Sequence, residues 1–471
     1  MRKIAFSLLF LIAVAAFGQK HEVHILAAND MHATIDAMPK VAAIADSLRS
    51  LYPSLLIFSA GDNRTGDPIN DMFKPSGYPM VALMNQVGFH ASALGNHEFD
   101  MNSLPTLIGL SNFRYICANI IADDTTGIRT VPYQVFDVEG MKVGIIGLTQ
   151  YGQQGHPDTH PENLYGLSFE KPEDVVGRYE WLSKENDVTI LLSHVGFKED
   201  TALAMKYPWL DLIIGGHSHT QLKGNEVHNG VLITQNRNKL PNVTHITLTV
   251  DSGRVVGKQA EYIDVKNFTR TNHVVADMVQ AFSDNPDFKH VLAHGVAPFA
   301  NIYEMGCMVC DALQAETGAD IAIQNYRGVR LESHSGGNIT VHDVFTIDPF
   351  ANATYELTVT GKELFTLIEK YCRMDVYHFP HLAGLRAELT LDKKDTTVIR
   401  KIKLLDADGR KFDMKRTYRV VTNSYVAAAI RAYGFTEMTR LNIETSTIIM
   451  NYLEKRGAVD YQGVNRIEMK K

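Results

Sequence analysis

Apolar runs that end in polar or glycine-containing segments alternate with helical stretches through the first half of the chain. Six of these runs are β-rich, and they span residues 22–30, 54–63, 91–98, 142–150, 188–196 and 210–220. Strands that alternate with helices predict a layered α/β domain. Ligands of such sheets bind at the carboxyl ends of the strands, so we expect the polar residues that close these runs to share one rim.

The first residues have the pattern of a secretory signal. Two basic residues precede an apolar stretch, residues 4–17, that is too short to span a bilayer comfortably. Ala16 and Gly18 are small residues at the −3 and −1 positions of a cut before Gln19. We predict a signal peptide over residues 1–18 and a periplasmic or extracellular location, with an uncleaved anchor as the alternative. No transmembrane segment is expected after cleavage.

The length and charge of the chain limit its organisation and its partners. With 471 residues the chain is long enough for two domains. The alternating pattern ends near residue 268, and we predict a helical linker over 269–290 and a second domain over 291–471. The formal net charge is −7 without a basic run, which argues against a nucleic acid polymer as the main partner.

Only four cysteines occur, Cys117, Cys307, Cys310 and Cys372. A chain of this length does not need disulfides for stability, so we expect them to be buried as small apolar residues. The Cys307-x-x-Cys310 spacing leaves a redox or metal pair as the alternative. Its setting has a helical, amphipathic pattern, which favours packing.

Histidine, carboxylate and amide side chains close five of the apolar runs. The third of these segments reads "ALGNHEFD", residues 93–100. A single such motif has little weight, but five in this order indicate a cluster of N and O ligands for divalent cations. We predict a dinuclear metal site among the residues that close these runs, which are Asp30, His32, Asp62, Asn96, His97, Glu98, His194, His217 and His219. Two ions about 3.5–4 Å apart form a clamp for phosphoryl displacement.

The order D-x-H, G-D, G-N-H-E-x-D, H and G-H-x-H is similar to that of the calcineurin-like metallophosphoesterases. The fuller motifs "LAANDMHA", "SAGDN", "LLSHVGF" and "IIGGHSHT" resemble the 5′-nucleotidase family within them. The resemblance implies a four-layer α/β/β/α metallophosphoesterase domain, assigned to residues 19–268. It also implies a smaller α+β C-terminal domain that binds the substrate.

The resemblance also implies a division of the ligands between two sites. The first ion would take Asp30, His32, Asp62 and His219. The second would take Asp62, Asn96, His194 and His217, so that Asp62 bridges the two. These ligand types do not distinguish among Mn, Zn, Fe, Co and Ca.

His97 would remain free of metal and act on the phosphate as a catalytic imidazole. Asp100 would hydrogen-bond to His97 and fix its tautomer. Glu98 has no assigned chemical role, and we interpret it as a carboxylate that interacts with nearby amide N–H groups.

The substrate-binding residues are expected in the second domain. In "NYRGVR", Asn325 would bind the base and Arg330 would pair with a phosphate or carboxylate, and a polar surface loop is the alternative. Phe350 and Tyr425 match the two aromatic residues that stack on either face of the base in the family.

The segment after Tyr425 departs from the family pattern. The family commonly has a Gly-Gly-Asp-Gly turn whose Asp binds the ribose hydroxyls, whereas this chain reads Ala428-Ala429-Ile430-Arg431. We expect Arg431 to be solvated, with contact to an acidic substrate as the alternative. The expected activity is hydrolysis of nucleoside 5′-monophosphates in nucleotide catabolism. The same fold acting on nucleotide sugars, cyclic nucleotides or a non-nucleotide phosphoester is the alternative.

Overall fold

The computed structural model describes residues 20–350, 352–374 and 378–470, so the predicted signal peptide lies outside the described residues. Two six-stranded sheets form the first half of the chain. The first sheet has the spatial order Arg254–Asp264, Asn242–Asp251, His21–Ala28, Leu56–Ser59, Ala91–Ala93 and Arg114–Ile116. The second has the order Glu226–His228, Val231–Thr234, Leu212–Ile214, Val188–Ser193, Met141–Leu148 and Tyr133–Val138.

The strands that precede the predicted ligands run parallel within their sheets. In the first sheet His21–Ala28 pairs in parallel with Leu56–Ser59, which pairs in parallel with Ala91–Ala93. In the second sheet Val188–Ser193 pairs in parallel with Leu212–Ile214. Parallel neighbours end at the same sheet edge, so the loops that follow them meet at one rim.

The two sheets face each other and are covered by helices on their outer sides. Between them lie apolar side chains of both sheets, Ile25 and Phe58 from the first and Ile190 from the second among them. Helices Met38–Leu51 and Tyr78–Val87 cover the first sheet, and Leu182–Glu185 and Phe197–Lys206 cover the second. Shorter helices are Pro68–Asp71, Leu104–Leu110 and Pro172–Val175, and Ile120–Ala122 pairs with Leu167–Phe169. These layers confirm the predicted α/β/β/α fold.

A helix, His273–Ser283, lies within the predicted linker. Asn272 caps it by accepting the backbone N–H of Val275, as an N-terminal capping residue does. Val275 and Val279 are buried against the outer helices of the first half. The helix is therefore packed on the first half of the chain.

The second half is an α+β unit built on a five-stranded sheet. Its strands have the order His381–Ala383, Ile321–Gln324, Thr417–Asn423, Ala353–Thr360 and Met438–Glu444. Two smaller sheets are Gly337–Thr340, Val291–Gly295, Ala458–Val459 and Ile399–Asp406, Leu385–Leu391, Ile467–Lys470. The helices are Ile302–Thr317, Val341–Ile347, Gly361–Met374, Ser424–Ala432 and Thr445–Arg456. None of the described helices has the length and apolar character needed to cross a membrane.

The four cysteines are buried free thiols. Cys307 and Cys310 lie on helix Ile302–Thr317, within the apolar core of the second half. Burial raises the pKa of Cys307 to about 11 and that of Cys310 well above its ordinary value. Redox and metal chemistry require the thiolate, so these positions fit packing rather than reactivity.

We therefore predict that no cysteine of the folded protein reacts with an aromatic disulfide reagent at pH 8. All four thiols should react after unfolding in guanidinium chloride, because unfolding removes the burial that keeps them protonated. Absorbance of the released thiolate gives the count. Cys307→Ser should lower the count in the unfolded state by one, and fast reaction of any thiol in the native protein would contradict the packing interpretation.

Candidate active site

The seven predicted metal ligands come together where the two sheets meet. Each follows a strand of the predicted sheets: His21–Ala28, Leu56–Ser59, Ala91–Ala93, Val188–Ser193 or Leu212–Ile214. Six of these side chains have atoms within 4.8 Å of one another in two groups, Asp30, His32, His219 and Asp62, His194, His217. The seventh, Asn96, has its Oδ1 atom 3.0 Å from Nδ1 of His217.

The first group converges on a small volume at the rim. Nε2 of His32 lies 3.2 Å from Nε2 of His219, and Nε2 of His219 lies 3.3 Å from Oδ1 of Asp30. Nδ1 of His32 lies 3.0 Å from the carbonyl oxygen of Thr65 and therefore carries the proton that it donates. This leaves a lone pair on Nε2 that is directed at the group, as in a metal-ligating imidazole with an outer hydrogen-bond partner.

The second group contains a buried atom without a hydrogen-bond partner. Nδ1 of His194 donates to the carbonyl oxygen of Ala60 at 2.7 Å, so its Nε2 carries a lone pair when the ring is neutral. That Nε2 has no hydrogen-bond partner and lies 3.1 Å from Oδ2 of Asp62. Two lone pairs that face each other repel unless a cation or a proton lies between them. The donor set and this orphaned atom fit a divalent cation.

Asp62 lies between the two groups. Its Oδ2 atom is 3.1 Å from Nε2 of His194 and 3.9 Å from Nε2 of His32. Its Oδ1 atom accepts the backbone N–H of His97 at 2.8 Å. The position fits the bridging role expected for this carboxylate.

The charges of the rim favour uptake of positive charge. Burial acts to raise the pKa of Asp62, but nearby imidazoles, His194 foremost, hold it well below its ordinary value. Burial acts to lower the pKa of His194, but the carboxylates of Asp62, Asp30 and Glu98 raise it to about 10. His217 is neutral at pH 7, because burial and the charge of His194 lower its pKa to about 4. A proton on His194 therefore holds part of the place that a cation would take.

The ligand loops have an unusual backbone. Left-handed φ angles occur at five ligands, Asp30, His32, Asp62, His217 and His219, with values from 44° to 74°. Such a conformation costs about 1–3 kcal/mol per non-glycine residue and persists where the surroundings enforce it. Gly95 allows the closest approach, since a Cβ atom there would overlap the carboxylate of Asp62.

Glu98 connects two of these loops, a role that the sequence alone does not show. Its carboxylate accepts backbone N–H groups from Gly95 at 2.6 Å, Asp62 at 2.9 Å and Asn63 at 2.9 Å. It also accepts the side-chain amide of Asn63 at 3.1 Å. The prediction of contacts to nearby amide groups describes only the bond to Gly95, because the other donors belong to a loop about 35 residues earlier.

His97 and Asp100 form the expected pair. Nδ1 of His97 lies 2.8 Å from Oδ2 of Asp100. The carboxylate of Asp100 also accepts the hydroxyls of Thr65 at 2.8 Å and Thr159 at 2.7 Å. Thr159 lies in a polar loop after strand Met141–Leu148. It was not among the predicted site residues, although its place after a strand of this sheet is the same kind of sequence signal that identified the others.

A cavity of about 470 Å³ between the two halves opens onto this pair. All four predicted substrate residues line it, Asn325, Arg330, Phe350 and Tyr425. The ring of Phe350 stacks on that of His97, with centroids 6.2 Å apart and planes 22° apart. Nη2 of Arg330 lies 3.5 Å from Nδ1 of His32. The second half therefore reaches the metal-binding rim directly.

The segment that departs from the family pattern is helical. Helix Ser424–Ala432 begins after Asn423, whose side chain accepts the backbone N–H of Val426. Asn423 also donates from its side chain to Oδ1 of Asn325 at 3.0 Å, so the loop at Asn325 and this helix are joined. Arg431 is exposed, as expected.

We predict that Glu98→Gln weakens binding of divalent cations by about 10–100-fold, the usual effect of losing an outer hydrogen-bond partner of a ligand. The amide retains the size of the side chain but presents an NH₂ group to backbone donors. Calorimetric titration of the metal-stripped protein measures the change. The exposed Glu173→Gln is the matched control, and equal affinities for the two variants would show that Glu98 does not position Asp62.

Comparisons with known proteins agree with both halves. Residues 23–221 match the calcineurin-like phosphoesterase family, and residues 298–437 match the 5′-nucleotidase C-terminal domain. A 5′-nucleotidase of Vibrio cholerae is 26% identical over 88% of this chain and 84% of that protein. A trifunctional nucleotide phosphoesterase of Bacillus subtilis is 26% identical over 88% of this chain, which spans only 32% of that longer protein.

The fold is also that of a solved structure. The crystal structure of a 5′-nucleotidase precursor from Thermus thermophilus matches with a TM-score of 0.83 at 23% identity. The match covers 95% of this chain and 99% of that chain. The chain therefore belongs to the 5′-nucleotidase family of the calcineurin-like metallophosphoesterases and is a metal-dependent phosphomonoesterase.

Proposed function

We propose that the protein is an exported 5′-nucleotidase that holds two divalent ions and releases phosphate from nucleoside 5′-monophosphates. The observation that carries the proposal is the arrangement at the cavity. Two ligand groups that meet at Asp62 lie beside His97, and the opposite wall presents Phe350 and Arg330. Export rests on the pattern of residues 1–18.

The ligand assignment follows from the two groups at the rim. Asp30, His32 and His219 would hold one ion, Asn96, His194 and His217 the other, and Asp62 both. When bound, two such ions lower the pKa of water and neutralise charge on phosphoryl oxygens. His32 and His217 supply neutral nitrogen ligands, because burial lowers the pKa of both, and a bound cation would displace the proton of His194.

We assign His97 to the substrate, although it also lies within reach of a cation held by His32 and Asp62. Its ring lines the cavity and faces Phe350 of the second half, where a phosphoester would enter. Burial acts to lower the pKa of His97, but the carboxylates of Asp62 and Asp100 outweigh it and raise the value. A protonated His97 would donate to a phosphoryl oxygen and stabilise the charge that develops there.

The second half would bind the nucleoside. Phe350 and Tyr425 would stack on the base, and Arg330 lies close enough to the rim to pair with the phosphate. Its guanidinium carbon also lies 5.8 Å from the ring centroid of Phe350, which places base and phosphate contacts side by side.

A related substrate class is the second candidate. The segment Ala428–Arg431 contains no carboxylate that could bind ribose hydroxyls. This observation favours nucleotide sugars, cyclic nucleotides or another phosphoester over a plain nucleoside monophosphate. A substrate panel with manganese- or zinc-loaded protein separates the two, because the first candidate requires AMP to be among the best substrates.

We predict that His97→Ala lowers kcat for AMP by at least about 100-fold, the usual contribution of a positioned proton donor. Asp100→Asn should lower kcat less and move the alkaline limb of the pH profile to lower pH. The reason is that loss of the carboxylate lowers the pKa of His97. Phosphate release over a pH series measures both effects. Absence of activity of the wild-type protein on a broad panel of phosphoesters would contradict the proposed function.

We predict that Tyr425→Ala raises KM for AMP by about tenfold or more, since stacking contributes about 1–3 kcal/mol per base. KM for glycerol 2-phosphate, which has no base, should change little. Initial rates of phosphate release for both substrates give the comparison. A matched rise in KM for the two substrates would show that Tyr425 does not contact a base.

A further inference from the structure

Two arginines flank Tyr355, a residue of the second-half wall of the cavity. Arg440 lies directly opposite Tyr355 in the antiparallel pair of Ala353–Thr360 and Met438–Glu444, so both side chains are on one face of the sheet. The guanidinium carbon of Arg431 lies 5.2 Å from the ring centroid of Tyr355. Tyr355 and Arg440 line the cavity. We call Tyr355, Arg431 and Arg440 the arginine patch.

The charges of the patch are not neutralised by the protein. Among the described residues, neither the Arg431 nor the Arg440 side chain forms an ion pair or a hydrogen bond, whereas Arg419 on the same sheet pairs with Glu356 at 2.7 Å. Arg327, which also lines the cavity, likewise has no ion pair within the described chain. Arg327 and Arg440 line the cavity, and Arg431 lies exposed beside it, against the ring of Tyr355.

The acidic groups across the cavity do not reach the patch. Asp158 and Glu162 of the metal-binding half line the same cavity, and neither forms an ion pair with these arginines. The patch faces His160 on that loop. Burial lowers the pKa of His160, the carboxylate of Glu162 opposes this effect, and the charges of Arg440 and Arg431 lower the pKa further. The wall therefore presents net positive charge to the cavity.

The patch is separate from the phosphate position at the metals. The arginine at that position is Arg330, whose Nη2 atom lies 3.5 Å from Nδ1 of His32. A phosphate attached directly to the reacting phosphate would lie near Arg330. An anion at the patch would instead be carried by the part of the substrate that lies against Tyr355.

We propose that the arginine patch binds a second phosphate, so that the preferred substrates are nucleoside bisphosphates with one phosphate at the metals and the other on the sugar. This inference rests on the proposed function, since it places the nucleoside in the same cavity. The planar fork of a guanidinium matches phosphate oxygens in pairs, and a phosphate monoester carries about −1.5 to −2 charges, enough for two arginines. A carboxylate at this wall would repel that group, and Ala428–Arg431 contains none.

The reaction is a single hydrolysis. Water oxygen forms a bond to the 5′-phosphorus, the bond from that phosphorus to O5′ breaks, and O5′ takes a proton. The products are inorganic phosphate and a nucleoside 3′-phosphate. The second phosphate is retained, so one phosphate is released per substrate molecule.

The test compares adenosine 3′,5′-bisphosphate, AMP and ADP on the metal-reconstituted full-length protein. We expect kcat/KM for the bisphosphate to exceed that for AMP by at least tenfold, and ADP to gain no such advantage. Replacing both arginines, Arg431→Gln with Arg440→Gln, should reduce the ratio of bisphosphate to AMP at least tenfold. Arg386→Gln, an exposed arginine outside the cavity, should leave the ratio unchanged.

Binding is measured separately from turnover by calorimetric titration of adenosine 3′,5′-bisphosphate into the His97→Ala protein, with and without the arginine substitutions. Should the double variant not fold, Arg440→Lys alone retains the charge without the fork and should give a partial loss. A bisphosphate-to-AMP ratio near one that the arginine variants do not change, with AMP hydrolysed, overturns the patch and leaves the 5′-nucleotidase intact. Patch-dependent hydrolysis of the bisphosphate without AMP hydrolysis supports the patch and overturns the monophosphate assignment. Absence of any hydrolysis, with no tighter binding of the bisphosphate than of AMP, overturns both.

Discussion

The carboxylate of Glu98 holds together the two loops on which the site depends. It accepts backbone N–H groups from Gly95 in one loop and from Asp62 and Asn63 in the other. Hydrogen bonds to a charged group contribute about 1.5–3 kcal/mol each, and a buried carboxylate without donors would be strongly unfavourable. Each loop therefore stabilises the other through one side chain. Since Asp62 in turn accepts the backbone N–H of His97, Glu98 positions Asp62 directly and His97 through Asp62.

Convergence of ligands at the rim has a cost that the rest of the domain must offset. Left-handed backbone at five ligands makes the rim a strained arrangement. The core between the two sheets, with Ile25, Phe58 and Ile190 fully buried, provides the rigid support that such strain requires. A cation that binds the folded rim and not the unfolded chain stabilises the fold through its free energy of binding.

The ligand residues of the first half can be predicted from the sequence because each is marked by its immediate neighbours along the chain. Each ligand directly follows an apolar strand, and parallel strands deliver such residues to one rim, so the seven ligands could be placed near one another without coordinates. The contacts of Glu98 with Asp62 could not be predicted, because the loops are distant along the chain and their distance in space depends on sheet order. The position of Phe350 against His97 depends on how the two halves dock. The pairing of Tyr355 with Arg440 depends on strand register, which a short edge strand such as Met438–Glu444 does not reveal.

The division of the chain also explains why the reaction is better determined than the substrate. Phosphoryl transfer presents the same charge and geometry in every phosphoester, so the rim needs one arrangement of ions and one proton donor whatever the rest of the molecule is. The leaving group contacts the wall of the cavity that the second half forms. That wall belongs to a separate sheet and helix, so its residues can change without disturbing Asp62 or His97. In this chain that wall has aromatic rings at Phe350 and Tyr425, lacks a carboxylate over Ala428–Arg431, and has arginines that form no ion pair with any described residue. A wall with that charge selects for negative charge in the leaving group, and an uncharged ribose diol cannot supply it.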